Sequence, residues 1–313
     1  MRVELFYKTK AELLNNLAFV APLYQGLCIS AAADSSRLKI NLPNKVTRDP
    51  LGEYVRAIRE YKKDDPGGGQ VSQTIQQCDI CVHYSLKNNP QKDMTFQQFG
   101  YFMSDMETLR VDEVLLVSGS SKGTIKRSKN TVSCLEYFSK WNPPLAVKIA
   151  VAYNCYFPDS SEQQVELNRL KQKVATGLVK KVYLQFGTDT VALKSALESF
   201  ENDLQLSSKK ITVVGSLFIP SKQLLARFKF RPWNGVFLSE SYLSDVSQAL
   251  EITNDILLLY NHYRVEIVVE SALKNAADIS KLESIVGISQ SSVKNIIPTY
   301  IEDDRSNKKL KSL

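Results

Sequence analysis

The feature that most narrows the fold is an alternation. Short apolar runs rich in β-branched residues recur eight times, and helix-period stretches separate many of them. The runs are Val3–Tyr7, Gly26–Ser30, Asp79–Tyr84, Glu113–Ser118, Val147–Tyr153, Lys181–Gln185, Ile211–Ser216 and Val265–Glu270. Several are unbroken, as in Val114-Leu115-Leu116-Val117, and such runs suit strands covered on both faces. Between them, Lys10–Val20, Phe96–Leu109, Glu162–Thr176, Ala192–Asp203 and Tyr242–Tyr260 carry apolar residues at helical spacing. Eight strands with intervening helices predict a closed parallel α/β structure, the (β/α)8 barrel, as one domain over residues 1–301. A doubly wound open sheet needs a phosphate-binding glycine turn after its first strand, and Lys8-Thr9-Lys10 supplies none.

The chain length of 313 residues accommodates one such barrel with insertions. The charged segment 302–313 reads as a disordered tail. The Gly-rich stretch Lys62–Ser72 lacks the Lys-Ser/Thr of a phosphate loop and reads as a mobile βα connection. A net charge of +7, spread over runs such as Lys62-Lys63 and Lys308-Lys309, is a solvated-surface pattern and points to no nucleic-acid partner. No apolar run approaches membrane-spanning length. Five cysteines are too few for a disulfide scaffold, and the first residues enter a strand without a leader pattern, so the expected compartment is the cytoplasm. Cys78 and Cys81 have CxxC spacing, but on a strand residues three apart face opposite ways, which predicts no metal site.

In a barrel, chemistry sits at the C-terminal strand ends. Those ends read Glu4, Ser30, His83, Gly119, Tyr153 and Gln185, a polar set beside apolar strands. With only His83 and His262, and no nucleophile elbow, no Ser/His/Asp triad can be assembled. Glu4 alternates with Val3 and Leu5. If those two face the helices, Glu4 points into the barrel near its mouth. There it is either a structural hydrogen-bonding group or an acid.

These residues also carry a family likeness. Val3-Glu4-Leu5-Phe6-Tyr7-Lys8-Thr9 resembles the Phe-Glu-Phe-Phe-Pro-Pro-Lys-Thr strand that opens the catalytic barrel of methylenetetrahydrofolate reductases. The stretch Ile149–Val174, then Tyr183-Leu184-Gln185-Phe186, is similar to that family's fifth strand, its helix and its Thr-Gln-Phe-Phe segment. The likeness runs from about residue 2 to about 290. It implies a flavin-dependent reduction of a folate one-carbon carrier, with FAD bound and NADH or NADPH as reductant. Glu4 would assist protonation, Gln185 would contact folate or nicotinamide, and Ser30, His83, Gly119, Tyr153, Glu166 and Lys173 would line the flavin. Such an acid and a reduced flavin divide the work of proton and hydride delivery.

The departures cluster at the flavin. The family's Arg-Gly-Asp-Pro-Pro reads Ser118-Gly119-Ser120-Ser121-Lys122, and its Gly-Ala-Gly-Gly turn reads Ala31-Ala32-Ala33-Asp34. A family histidine is Phe157, the aromatic after strand seven is Ser221, and the Phe-Tyr-Thr of strand eight is Val269-Glu270-Ser271. The expected unit is the catalytic barrel alone, without the regulatory half that longer members carry. Two readings stay open: an active reductase, or a divergent barrel without reductase activity that binds folate, flavin or a protein partner, or self-associates.

Overall fold

Eight strands close on themselves in sequence order, each parallel to its neighbours, with β8 hydrogen-bonded to β1. The computed structural model describes residues 1–27, 37–43, 51–62, 69–86, 95–118, 130–140, 146–208 and 210–287. The strands are β1 (Arg2–Glu4), β2 (Lys39–Leu42), β3 (Asp79–Ser85), β4 (Glu113–Val117), β5 (Lys148–Tyr153), β6 (Val179–Leu184), β7 (Thr212–Leu217) and β8 (Glu266–Val269). Around them lie α1 (Lys10–Leu27), α2 (Leu51–Arg59), α3 (Gly69–Gln76), α4 (Thr95–Thr108), α5 (Thr131–Ser139), α6 (Ser160–Ala175) and α7 (Thr190–Asn202). The set continues with α8 (Leu204–Ser207), α9 (Lys222–Phe230), α10 (Glu240–Ser244) and α11 (Val246–His262). Residues 276–287, after β8, are helical too. The expected (β/α)8 barrel is the observed fold.

Two expectations are corrected. The second strand is not Gly26–Ser30: Gly26 and Leu27 end α1, which runs through Pro22, and β2 is Lys39–Leu42. The Gly-rich connection is shorter than its composition suggests, because Gly69 already begins α3. Its residues 63–68, the tail 302–313 and Ser30 lie outside the described residues.

Local chemistry explains the helix starts. Asp159, Asp189 and Asp245 cap α6, α7 and α11, each carboxylate accepting two backbone N–H bonds that the first turn would otherwise leave unmade. Gly177 follows α6 at φ 75°, a left-handed conformation that costs glycine least, and its N–H returns to the Val174 carbonyl.

Strand alternation sorts side chains into two cores. Val3, Ile40, Ile80, Val114, Val151, Val182 and Leu217 pack outward, against the helices. Cys81, Leu115, Ala150, Tyr183, Val214 and Val268 fill the barrel interior. Cys78 sits in the outer core and Cys81 in the inner one, so the CxxC pair does not converge.

Below the apolar interior layer, at the N-terminal strand ends, lies an ionic layer. Arg2, fully buried, pairs with Asp79 at 2.7 Å and reaches Glu113 at 4.0 Å. Lys181 bridges Glu113 and Glu266 at 3.0 Å each, and Lys39 pairs with Glu266 at 2.5 Å. Tyr183 closes the set by donating to Glu113 at 2.5 Å. Three cations face three anions, so the layer is neutral in sum.

The β7–β8 connection is the elaborate one. It holds α9, a return segment and α10 before α11 runs back to β8. The return segment pairs with the chain after β6 through Gly187 and Phe237. Phe186, Phe218, Leu225, Phe228, Tyr242 and Ala249 form a separate small core there.

Candidate active site at the barrel mouth

Above the apolar layer, at the C-terminal strand ends, inward positions turn polar again. Arg2 is buried in the ionic layer and Val3 and Leu5 pack in the outer core, so Glu4 is the next inward residue of β1. Its neighbours follow from strand register. Glu4 pairs with Asn41 of β2 on one side. On the other, Val3 pairs with Val269, which brings Glu270, the residue just past β8, beside Glu4. The ladder continues here, since the Glu270 N–H donates to the Leu217 carbonyl at 2.9 Å.

Glu270 is held from β7. The Ser216 hydroxyl donates to its Oε1, and the Tyr260 hydroxyl of α11 donates to the Ser216 carbonyl at 3.2 Å. The Tyr260 ring occupies space that only glycine leaves: a Cβ on Gly215 would lie 2.2 Å from Tyr260 Cζ. Burial raises the Glu270 carboxyl, the Ser216 hydrogen bond opposes it, and the result is about 7. Such a group is partly protonated at neutral pH.

Asn41, almost wholly buried, lies with Nδ2 3.4 Å from His83 Nε2. Burial, with help from the Arg2 charge, lowers His83 to about 4, so the ring is neutral at pH 7. Ser216, Glu270, Glu4, Asn41 and His83 thus form a continuous polar arc across β7, β8, β1, β2 and β3.

Gln185 closes the far side of the mouth. Its Oε1 accepts from the Phe186 N–H at 3.3 Å, and its Nε2 lies 3.9 Å from where a Cβ of Gly235 would sit. Asn154 Nδ2 donates to the Gly235 carbonyl at 2.9 Å, which ties the return segment over the mouth. Beside it opens a cleft of about 700 Å³, walled by Tyr156, Phe228, Trp233 and Phe237.

The remaining sequence-picked residues lie elsewhere. Tyr153 faces outward in the sheet–helix layer, against Phe200 of α7 at 6.2 Å between ring centres. Lys173 is buried in the last turn of α6, donates from Nζ to the Ala152 carbonyl at 2.9 Å and lies 3.6 Å from Glu166. Burial lowers the Lys173 pKa, and Glu166 opposes it. Glu166 in turn pairs with Arg169 at 3.4 Å. The structure therefore brings Glu4, His83 and Gln185 to the mouth, and groups Tyr153, Glu166 and Lys173 behind β5. Ser30 and Gly119 lie outside the described residues.

That separation bears on a flavin. A pyrophosphate is held by cations and N–H groups aimed at it. Among the described residues, the Lys173 ammonium is committed to Ala152 and Glu166, and the neutral His83 adds no charge to the mouth. Ser221, where the family has an aromatic, caps α9 by accepting from the Leu224 N–H. Of the residues that the resemblance assigns to a flavin, the described ones divide between the mouth, with His83, and the space behind β5, with Tyr153, Glu166 and Lys173. No group of His, Cys, Asp and Glu able to hold a metal ion occurs among the described residues.

Sequence reasoning missed Asn41, because it sits on the strand that was misplaced, and Ser216. Glu270 stood out only as a departure from the family. Its signal was present, an acid at the C-terminal end of a strand run, as with Glu4.

The chain matches no family model, and no curated protein sequence matches it. Among solved structures it is similar to a GH18 chitinase from Pseudoalteromonas aurantia, at 10% identity and a TM-score of 0.42, over 83% of this chain and 100% of that one. Xylanase 10B from Thermotoga maritima gives 12% identity and a TM-score of 0.40 over 75% of each chain. Concanavalin B gives 9% and 0.40, over 95% of this chain and 99% of its own. At these identities and scores the likeness carries no functional information. No described helix is long and apolar enough to cross a membrane.

Proposed function

We propose that this chain is a methylenetetrahydrofolate reductase-like barrel that takes a folate-type one-carbon carrier in its mouth and protonates it from Glu4. One observation carries the reading: Glu4 is turned into the mouth of the barrel, where its strand neighbours are Asn41 and Glu270. Gln185 faces the same space and offers an amide to a heterocyclic edge. A carboxyl group turned into the mouth is placed to hand a proton to a ligand bound there, which is the position a general acid needs.

The test uses the whole chain with methylenetetrahydrofolate, reduced flavin and either NADH or NADPH. Glu4→Gln should leave the melting temperature unchanged and slow turnover by about 10²–10⁴-fold, the usual contribution of a positioned acid. A variant that melts early and turns over normally when folded would mark Glu4 as structural.

A second reading, a divergent barrel that binds a folate, a flavin or a protein partner without reducing anything, is favoured by one observation. The Lys173 ammonium is spent inside the protein. Wild-type protein that binds folate in a titration, purifies colourless and shows no turnover with either nicotinamide would establish that reading.

A further inference from the structure

We propose that an arginine-lined cleft at the N-terminal end of the barrel binds a small molecule through two or more adjacent phosphate groups. The cleft lies at the opposite end from the mouth, so it stands or falls apart from the folate reading.

Strand starts and helix ends build the cleft. Helices α2, α3 and α4 finish at this end of the barrel, and β2, β3 and β4 begin there. The space measures about 720 Å³, within the range of small-molecule sites. Four arginines line it: Arg37 before β2, Arg56 and Arg59 in the last turn of α2, and Arg110 after α4. Among the described lining residues the acids are Glu60 and Asp112, so four positive charges face two negative ones.

Part of that charge has a structural use, and it can be separated from the rest. Helix C-termini leave carbonyls without partners, and arginines supply them. Arg59 donates from Nη1 to the Gln76 and Cys78 carbonyls at 2.9 and 2.7 Å. From Nη2 it donates to the Arg110 carbonyl at 2.5 Å and to Asp112 at 3.2 Å. Arg37 donates from Nε to the Gln77 carbonyl at 2.6 Å and from Nη2 to Asp112 at 3.2 Å. Asp112 also accepts the Ile80 N–H at 3.0 Å, so this carboxylate is taken up by two arginines and the backbone.

The other guanidinium groups have no such duty. Arg56 and Arg110 are exposed, and their side chains form no hydrogen bond or ion pair among the described residues. Arg37 is half exposed, and its Nη1 is unengaged among them. A guanidinium meets phosphate oxygens in a two-pronged fork. Forks that line one space from the start of β2, from α2 and from α4 can satisfy more acceptor oxygens than a single carboxylate offers. Adjacent phosphates supply them.

The same helices limit the size of the ligand. α2 carries exposed Glu53 and is followed by exposed Glu60, and α4 carries exposed Asp105 and Glu107. Positive charge is thus confined to the cleft, and an extended polyanion such as a nucleic acid would meet acids on the helices that flank it.

The experiment is calorimetric titration of the whole protein with inorganic tripolyphosphate. Wild type should bind one equivalent saturably, more tightly than orthophosphate, and less tightly as salt rises. Arg110 stands in left-handed backbone, φ 56°, which asparagine tolerates, and Arg56 is exposed, so Arg56→Gln/Arg110→Asn should keep its melting temperature. It should weaken binding by at least about tenfold. Lys222→Gln/Arg227→Gln removes the same charge from α9 and should leave the affinity unchanged. An equal loss in the α9 variant, an unmoved affinity in the cleft variant, or no saturable binding in wild type overturns the site. Tighter binding of a single-stranded oligonucleotide than of tripolyphosphate overturns the small ligand. Should the cleft variant fold poorly, phenylglyoxal labelling of wild type, mapped by mass spectrometry, decides instead. Tripolyphosphate should shield Arg56 and Arg110 and leave Arg227 reactive, and equal labelling with and without it overturns the proposal.

Discussion

Consider replacing Arg2 with methionine, which keeps most of the stem and deletes the guanidinium. Arg2 is fully buried, donates to the Ile40 carbonyl at 3.0 Å and pairs with Asp79 at 2.7 Å. Removing one member of a buried pair typically costs about 3–5 kcal/mol, because the partner is left charged and dehydrated. Two features set the value at the low end. Asp79 keeps about a fifth of its side-chain exposure, 20%, and can take water. Glu113 keeps Lys181 at 3.0 Å and the Tyr183 hydroxyl at 2.5 Å. The predicted loss is therefore about 3 kcal/mol, read as a shift of the urea midpoint at constant m-value. The double variant Arg2→Met/Asp79→Leu removes the stranded charge and should recover most of that loss. A single-variant loss under about 1 kcal/mol, or a double variant no more stable than the single, would refute the view that the ionic layer is a balanced buried unit.

Other contacts in the barrel set further outcomes. Glu266 is raised by burial but brought down to about 2 by Lys181, Lys39 and Arg2, so its contribution is full above the ordinary glutamate range and lost as pH falls toward 2; in urea titrations the stability gap between wild type and Glu266→Gln should therefore narrow over that interval. Gly215→Ala pushes a methyl into the Tyr260 ring and should lower stability by about 1–3 kcal/mol, with partial recovery in Gly215→Ala/Tyr260→Leu by thermal melting. Lys173→Met should cost about 1–3 kcal/mol through the lost bond to Ala152, and a fall in flavin affinity beyond what that loss explains would return Lys173 to the ligand site. Asp159→Ala removes the α6 cap and should cost about 1 kcal/mol by the same melt.

Most of the barrel was legible because buried parallel strands write themselves as apolar runs. Val114–Val117 and Lys148–Tyr153 are of this kind. The second strand was not legible. Leu38-Lys39-Ile40-Asn41-Leu42 alternates like a half-exposed strand, because its inward residues serve polar layers: Lys39 the ionic one and Asn41 the mouth. Nearby, Leu27-Cys28-Ile29 imitates a buried strand, although α1 extends through Leu27. At the site, Glu4, His83 and Gln185 could be picked because strand ends are readable. Lys173 could not be placed, since its long stem lets a helical residue reach either a ligand or, as here, a strand carbonyl. The Ser216–Glu270 contact joins two strands 54 residues apart, and no local pattern encodes it.

The seam between β1 and β8 has a consequence for how this chain reaches its native state. Residues 2–4 find their second strand partner only in residues 266–269, so the first strand waits for the eighth before its ladder is complete. Glu266 arrives on that same strand and is the anion shared by Lys39 and Lys181. Before β8 docks, the two lysines lack it and the mouth lacks Glu270. Closure of the seam should thus be a single late, long-range step that neutralises the base of the barrel and assembles its reactive end together. A nascent chain stopped short of residue 266 should remain an open sheet, with its β1 edge available to a chaperone.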